Sequence, residues 1–206
     1  MERNQPWSLL VTNDPLRFPV ISDGFQGGPM QRFLPLVLEV WREAGGPRPL
    51  DEAAARVVAL LAERLPLGAL VLRRLDAARG SIETAAAAGR PEPGTSEAAR
   101  TELAPSDLEE LVAWARGGAL VHDRARRLAA RLPGLLPDGI EGDVLAGPLA
   151  AGETPIGVLL LVARRGQRFE PAHHPLARAL LEPLAAALAN DRRYHALETR
   201  EAAVEA

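Results

Sequence analysis

Pro155-Ile156-Gly157-Val158-Leu159-Leu160-Leu161-Val162-Ala163 is the stretch on which the fold turns. It carries no charged or hydrogen-bonding side chain at either parity, so it reads as a strand apolar on both faces, central in a sheet and covered from both sides. Leaving one face wet would expose several side chains worth roughly 1.5–3 kcal/mol each when buried. Just upstream, residues 144–149 and a turn containing Gly152 complete a hairpin with it. A second hairpin is expected earlier, with 69–76 as one strand, 77–80 as the turn and 81–87 as a weaker strand.

Helical periodicity surrounds these hairpins. Residues 35–44 place Val37, Leu38, Trp41 and Ala44 on one face behind Pro35, and Gly45 and Gly46 end the helix. A second helix is expected over 52–65, capped by Asp51, with Ala54, Val57, Val58, Leu61 and Leu65 at helical spacing. Residues 89–105 read as a loop, closed by a capping-box pattern from Ser106 to Glu109 that opens a helix to about Arg116. A short strand over 119–122 and a short helix over 123–132 follow. After Pro171 a long helix is expected to run to the end of the chain, with Leu176, Leu180, Leu184 and Leu188 as its stripe and a kink at Pro183. The element order predicts an α+β fold, an antiparallel sheet flanked by helices. It divides the chain into an irregular arm at 1–34, rich in proline and glycine, a domain at 35–190, and a polar helical extension at 191–206.

Composition narrows the chemistry. The 206 residues are 47% hydrophobic and 25% charged with a net charge of −3, as in a globular domain, and this balance gives no reason to expect direct nucleic-acid binding. There is no cysteine, and all 24 basic residues are arginine. Thiol nucleophiles, disulfides, iron–sulfur clusters and zinc ribbons therefore drop out, as do Walker-type phosphate loops and lysine Schiff bases. No Gly-x-Ser-x-Gly string or readable Ser, His and Asp constellation is present. The reading is of a non-enzyme without a cofactor. The first residues lack a signal-peptide core and no segment approaches the ~18 apolar residues of a membrane span, so a cytoplasmic protein without a membrane partner is expected.

Three strings carry a resemblance: 65–76 (LPLGALVLRRLD), 145–149 (LAGPL) with 155–162 (PIGVLLLV), and 181–190 (LEPLAAALAN). With the element order they resemble the GAF domain, a small-molecule sensory module of bacterial signalling proteins. The last string with Arg193 and Tyr194 resembles more narrowly the GAF domains that precede the AAA+ ATPase of sigma-N-dependent activators of the formate hydrogenlyase activator type. The resemblance covers about residues 35–200. It implies a small-molecule effector on one face of the sheet and a C-terminal helix that carries the signal to an AAA+ output domain, in cis or in trans. The absence of cysteine removes the branches of that fold that the resemblance implies depend on it, the methionine sulfoxide reductases and the bilin-attaching domains. A homodimer is a further expectation, motivated by the polar extension and the apolar helix at 35–44. The alternative is a dimerisation or scaffold module of the same fold without a ligand.

By the same resemblance, the ligand contacts fall in the segment from the third strand through the short helix. The candidates are Trp114, His122, Asp123, Arg126 and Arg127, with Val121 beside them. His122 and Asp123 suit hydrogen bonding and Arg127 an anion. The plainer reading is a surface loop in which Asp123 caps the next helix. Arg73 and Arg74 alternate across their strand, so one is placed to enter the pocket, the plainer reading being that both sit at a wet strand end; Arg74 is the candidate carried forward. His173 and His174 are helical neighbours about 100° apart and are read as solvated first-turn histidines, not as a metal site.

Overall fold

The computed structural model describes residues 33–89 and 100–191. Residues 1–32, 90–99 and 192–206 lie outside the described residues, and with them most of the arm expected at 1–34 and of the extension expected at 191–206. Among the described residues, six strands form one antiparallel sheet in the order β3-β2-β1-β6-β5-β4. Their ranges are β1 Leu67–Asp76, β2 Ser81–Gly89, β3 Arg100–Glu102, β4 Val121–Arg124, β5 Asp143–Ala151 and β6 Thr154–Ala163. The fully apolar stretch thus lies in the middle, between β1 and β5, and Val158, Leu159, Leu160 and Leu161 are all buried. The α+β class and the antiparallel sheet flanked by helices are as the sequence predicts. The short edge strand β3 is additional, formed where a loop was expected.

Two apolar clusters, one on each side of the sheet, follow from strand alternation. The first takes Leu70, Leu72, Leu145, Leu159 and Leu161, and is covered by α1 (Leu34–Ala44), α2 (Leu50–Leu61) and the C-terminal helices. The second takes Ala69, Val71, Val144, Ala146, Val158, Leu160 and Val162. It is covered by α3 (Pro105–Arg116), α4 (Ala125–Arg131) and the connection after α4, through Leu111, Trp114, Leu128, Leu132 and Leu135.

The helix starts differ from the capping reading. Asp51 lies inside the first turn of α2, which begins at Leu50 behind Pro49, and Ser106 lies inside α3, which begins at Pro105 behind Ala104. In both, a proline beside the boundary fixes φ near helical values and sets the start without a side-chain cap.

The C-terminal helix is in two pieces. A 3₁₀ turn at Pro171–His173 leads into α5 (His174–Ala179), the chain pauses at Leu180, and helix resumes over 181–191. Pro183 has no N–H for the carbonyl of Ala179, and the amide of Leu180 is shared between Leu176 O at 3.2 Å and Ala177 O at 3.3 Å. The resumed helix sits close on the sheet because two strand positions are glycine. A β-carbon at Gly157 would fall on the Arg73 carbonyl and 2.6 Å from Leu188 Cδ2, and one at Gly147 would fall 2.5 Å from Leu181 Cδ2.

Candidate functional site

The α3/α4 side of the sheet combines an apolar core with buried polar groups. Arg73 points into it from β1 and is 0% exposed. Its Nη2 donates to Ile82 O at 2.9 Å and to Thr101 Oγ1 at 3.0 Å, and Nη1 reaches Gly134 O at 3.3 Å and Leu135 O at 3.4 Å. One guanidinium thus fastens β1 to β2, to β3 and to the connection that follows α4. Burial lowers its pKa to about 10, with the charge of Asp138 acting in the opposite sense, so it is a cation at neutral pH. Trp114 on α3 and Thr84 on β2 are also buried, and among the described residues the indole Nε1 and Thr84 Oγ1 have no hydrogen-bond partner. Buried polar atoms left unsatisfied are uncommon in native proteins and mark strain, a bound water or a missing ligand.

Two open clefts flank the segment 139–142 at the end of the sheet. One, of about 720 Å³, is lined by Ala69, Gly89, Ile140, Val162, Arg164 and Arg165 among others, so it reaches the rim of the second cluster. The other, of about 680 Å³, is lined by Arg124, Arg126, Asp138, Glu141, Asp143 and Arg168 among others. Both fall in the 300–1,000 Å³ range of small-molecule sites.

The candidate residues are distributed over both sides. Trp114 lies in the α3/α4 core, and Arg126 lines the second cleft. Asp123 lies in β4 and accepts from the Arg124 amide at 2.7 Å and from Arg127 Nε at 2.6 Å, but α4 begins behind Arg124 without a side-chain cap, so Asp123 ties the strand end to α4 and does not cap the helix from a surface loop. Arg74 faces the opposite layer, where it pairs with Glu83 Oε1 at 3.0 Å and with Asp191 of the C-terminal helix. Arg73, its neighbour, is the one that enters the α3/α4 side.

His122 also faces the opposite layer, because Val121 takes the position toward α4. Its Nε2 meets Asp143 Oδ2 at 2.8 Å, and its Nδ1 meets His174 Nε2 at 3.2 Å. Asp143 Oδ2 accepts in addition from the Phe169 amide at 2.8 Å. His174 is 8% exposed, which corrects the solvated reading: it opens α5 on the inner side of the helix. His173 points elsewhere and accepts from the Glu170 amide at 2.9 Å, capping the 3₁₀ turn. Among the described residues no group of three or more His, Cys, Asp or Glu could hold a metal ion, and no helix is long and apolar enough to cross a membrane. Sequence reasoning missed Asp143 and His174 as partners of His122; no spacing signal links positions so far apart.

This architecture is the GAF fold. The chain is similar to the GAF domain of an Acinetobacter phosphoenolpyruvate-protein phosphotransferase, at 20% identity and a TM-score of 0.58, covering 81% of this chain and 96% of that one. It is similar to free methionine-R-sulfoxide reductase from Neisseria meningitidis in complex with its substrate, at 15% identity and a TM-score of 0.54, covering 82% and 95%. It is also similar to the phycocyanobilin-bound GAF domain of a cyanobacterial phytochrome, at 11% identity and a TM-score of 0.52, covering 82% and 98%. No protein-family model and no curated protein matches the sequence.

Proposed function

We propose that this chain is a small-molecule-sensing regulatory module, with its ligand on the α3/α4 side of the sheet and its output through the C-terminal helix. The observation that carries the reading is the unsatisfied indole N–H of Trp114, buried in an apolar layer whose rim opens into a cleft of about 720 Å³. An acceptor on a bound molecule would satisfy that donor, and the Arg73 network would carry a rearrangement of this side to β1, which pairs with central β6 under the C-terminal helix. Two of the similar solved structures hold a small molecule, a substrate in one and phycocyanobilin in the other. With no cysteine for the chemistry that the resemblance implies in the reductases, the module is read as a sensor, not an enzyme. The finer reading places its output on a sigma-N-dependent AAA+ activator, in cis or in trans, and rests on the resemblance of the 181–190 string. A thermal-shift screen against a broad metabolite panel tests it. A ligand at about 100 times its Kd adds about 2.7 kcal/mol, roughly 5–10 °C at this size. A flat response across the panel counts against sensing.

A second reading, a dimerisation module without a ligand, is favoured by one observation. Leu34, Leu38 and Trp41 recur at helical spacing on the outer face of α1 and are 54%, 56% and 37% exposed.

A further inference from the structure

We propose that Leu16-Arg17-Phe18-Pro19-Val20, in the N-terminal arm, lies along the outer face of α1 in its own chain and covers Leu34, Leu38 and Trp41. These three follow at i, i+4 and i+7, so they form one stripe along two turns, about 10 Å long. All three are exposed, while a different side of α1 faces the core through Val37, Val40 and Ala44. A contiguous stripe of large apolar side chains marks a surface that is met by something. On its own it serves a second copy poorly. Three part-exposed side chains fall well short of the roughly 800 Å² per partner that a stable interface buries.

The arm fits the stripe by position and by pattern. It joins the domain at Phe33, one residue before the stripe begins. The linker over 21–32 reaches up to about 40 Å when extended, and its Gly24, Gly27, Gly28 and Pro29 suit a chain that doubles back. In the run itself Leu16, Phe18 and Val20 alternate with Arg17 and Pro19. An extended backbone therefore sets three apolar side chains on one side over about 13 Å, close to the length of the stripe, and turns Arg17 to water. Pro19 biases Phe18 to that extended form and brings no N–H that needs a partner. Tethering then decides between occupants. A short flexible linker holds the run at an effective concentration of order 1 mM, so a contact with a Kd of about 1 mM fills the face about half the time, whereas a second copy at about 1 μM fills about 0.1% with the same Kd. The arm's other apolar run, Leu9-Leu10-Val11, is farther along the chain, and effective concentration falls with linker length. Because α1 shares its apolar layer with Leu184 and Leu188 of the C-terminal helix, the arm governs whether the face beside that helix is open to a second copy, whether or not a ligand binds across the sheet.

The chain has no cysteine, so a nitroxide can be carried on one introduced thiol, Ser22→Cys, beside the run. In nitrogen–proton NMR of the 206-residue chain, the indole signal of Trp41 should lose most of its intensity and regain it when the nitroxide is reduced. The signal of Trp114, across the sheet, should keep its intensity throughout. When unlabelled chain bearing the nitroxide is mixed with nitrogen-labelled chain lacking it, Trp41 should keep its signal, as cover within one chain requires. Phe18→Ser with Val20→Ser on the nitroxide-bearing chain should restore most of the Trp41 signal, with an unmoved Trp114 signal reporting that the domain is folded. An undiminished Trp41 signal in the parent nitroxide chain overturns the proposal. So does a loss in the mixture, which puts a second copy on the face, and so does a loss that survives Phe18→Ser with Val20→Ser, which comes from the tether alone. Should the double variant fail to fold, the parent and mixed samples decide.

Discussion

Arg73 and Arg74, adjacent on β1, serve opposite sides of the sheet: Arg73 donates to Ile82 O under the α3/α4 layer, while Arg74 pairs with Asp191 of the C-terminal helix. They are not equivalent in cost. Arg73→Met keeps much of the apolar stem but leaves the Ile82, Gly134 and Leu135 carbonyls and Thr101 Oγ1 with lost donors, and should destabilise the domain by about 2–4 kcal/mol in urea unfolding. Arg74→Met removes part-buried ion pairs and should cost less, about 1–2 kcal/mol.

The pH dependence of the Arg73→Met effect follows from its lowered pKa of about 10. Below that value Arg73 is charged in both the folded and the unfolded chain, and its burial cost is constant. As pH rises through it, the folded state gives up its proton first and that cost is relieved, so the stabilising trend lies on the alkaline side. Urea unfolding of the parent and Arg73→Met from about pH 6 to 8 should therefore give parallel stability curves.

Gly157→Ala tests how closely the C-terminal helix sits on the sheet. The added methyl meets backbone at Arg73 as well as Leu188, and backbone cannot swing aside. A loss of about 1–3 kcal/mol is expected, with exchange protection falling over 184–191 before it falls in β5. An unchanged melting temperature would contradict the packing described for Leu188.

Asp143→Asn separates charge from shape at the sheet edge. The parent carboxylate holds His122 and the Phe169 amide together, and the amide replacement keeps an acceptor but not the charge. A loss of about 1–3 kcal/mol is expected near neutral pH, by denaturant titration.

The parts of this architecture that were legible in the sequence are those where apolar periodicity is long. The run around Leu159 and Leu160 announces a central strand, and the Leu70 and Leu72 alternation a neighbour, because side-chain burial alone sets both. β3 was not legible: Arg100-Thr101-Glu102 is three polar residues long, and only its pairing with Ser81, Ile82 and Glu83 makes it a strand. Alternation separates Arg73 from Arg74, but β1 is apolar on both faces, so no local signal says which face lies under α3. The helix starts at Leu50 and Pro105 were displaced from Asp51 and Ser106 because proline geometry outweighed side-chain capping. The His122, Asp143 and His174 cluster depends on three elements brought together only by the fold.

The outer face of α1 supplies a test of the second reading. Leu38→Glu with Trp41→Glu changes residues that are 56% and 37% exposed, so the fold should tolerate them. If α1 forms a dimer seam, sedimentation should show the parent associating at micromolar concentration and the double variant remaining a monomer. A parent monomer at every concentration rules that seam out.

The most direct test of the sensing account is the indole N–H signal of Trp114 in nitrogen–proton NMR, followed while a compound that raises the melting temperature is added. The account predicts that this signal moves as its buried donor gains an acceptor, while the signal of exposed Trp41 on α1 stays in place. A stabilising compound that leaves Trp114 unmoved and shifts Trp41 instead would contradict it.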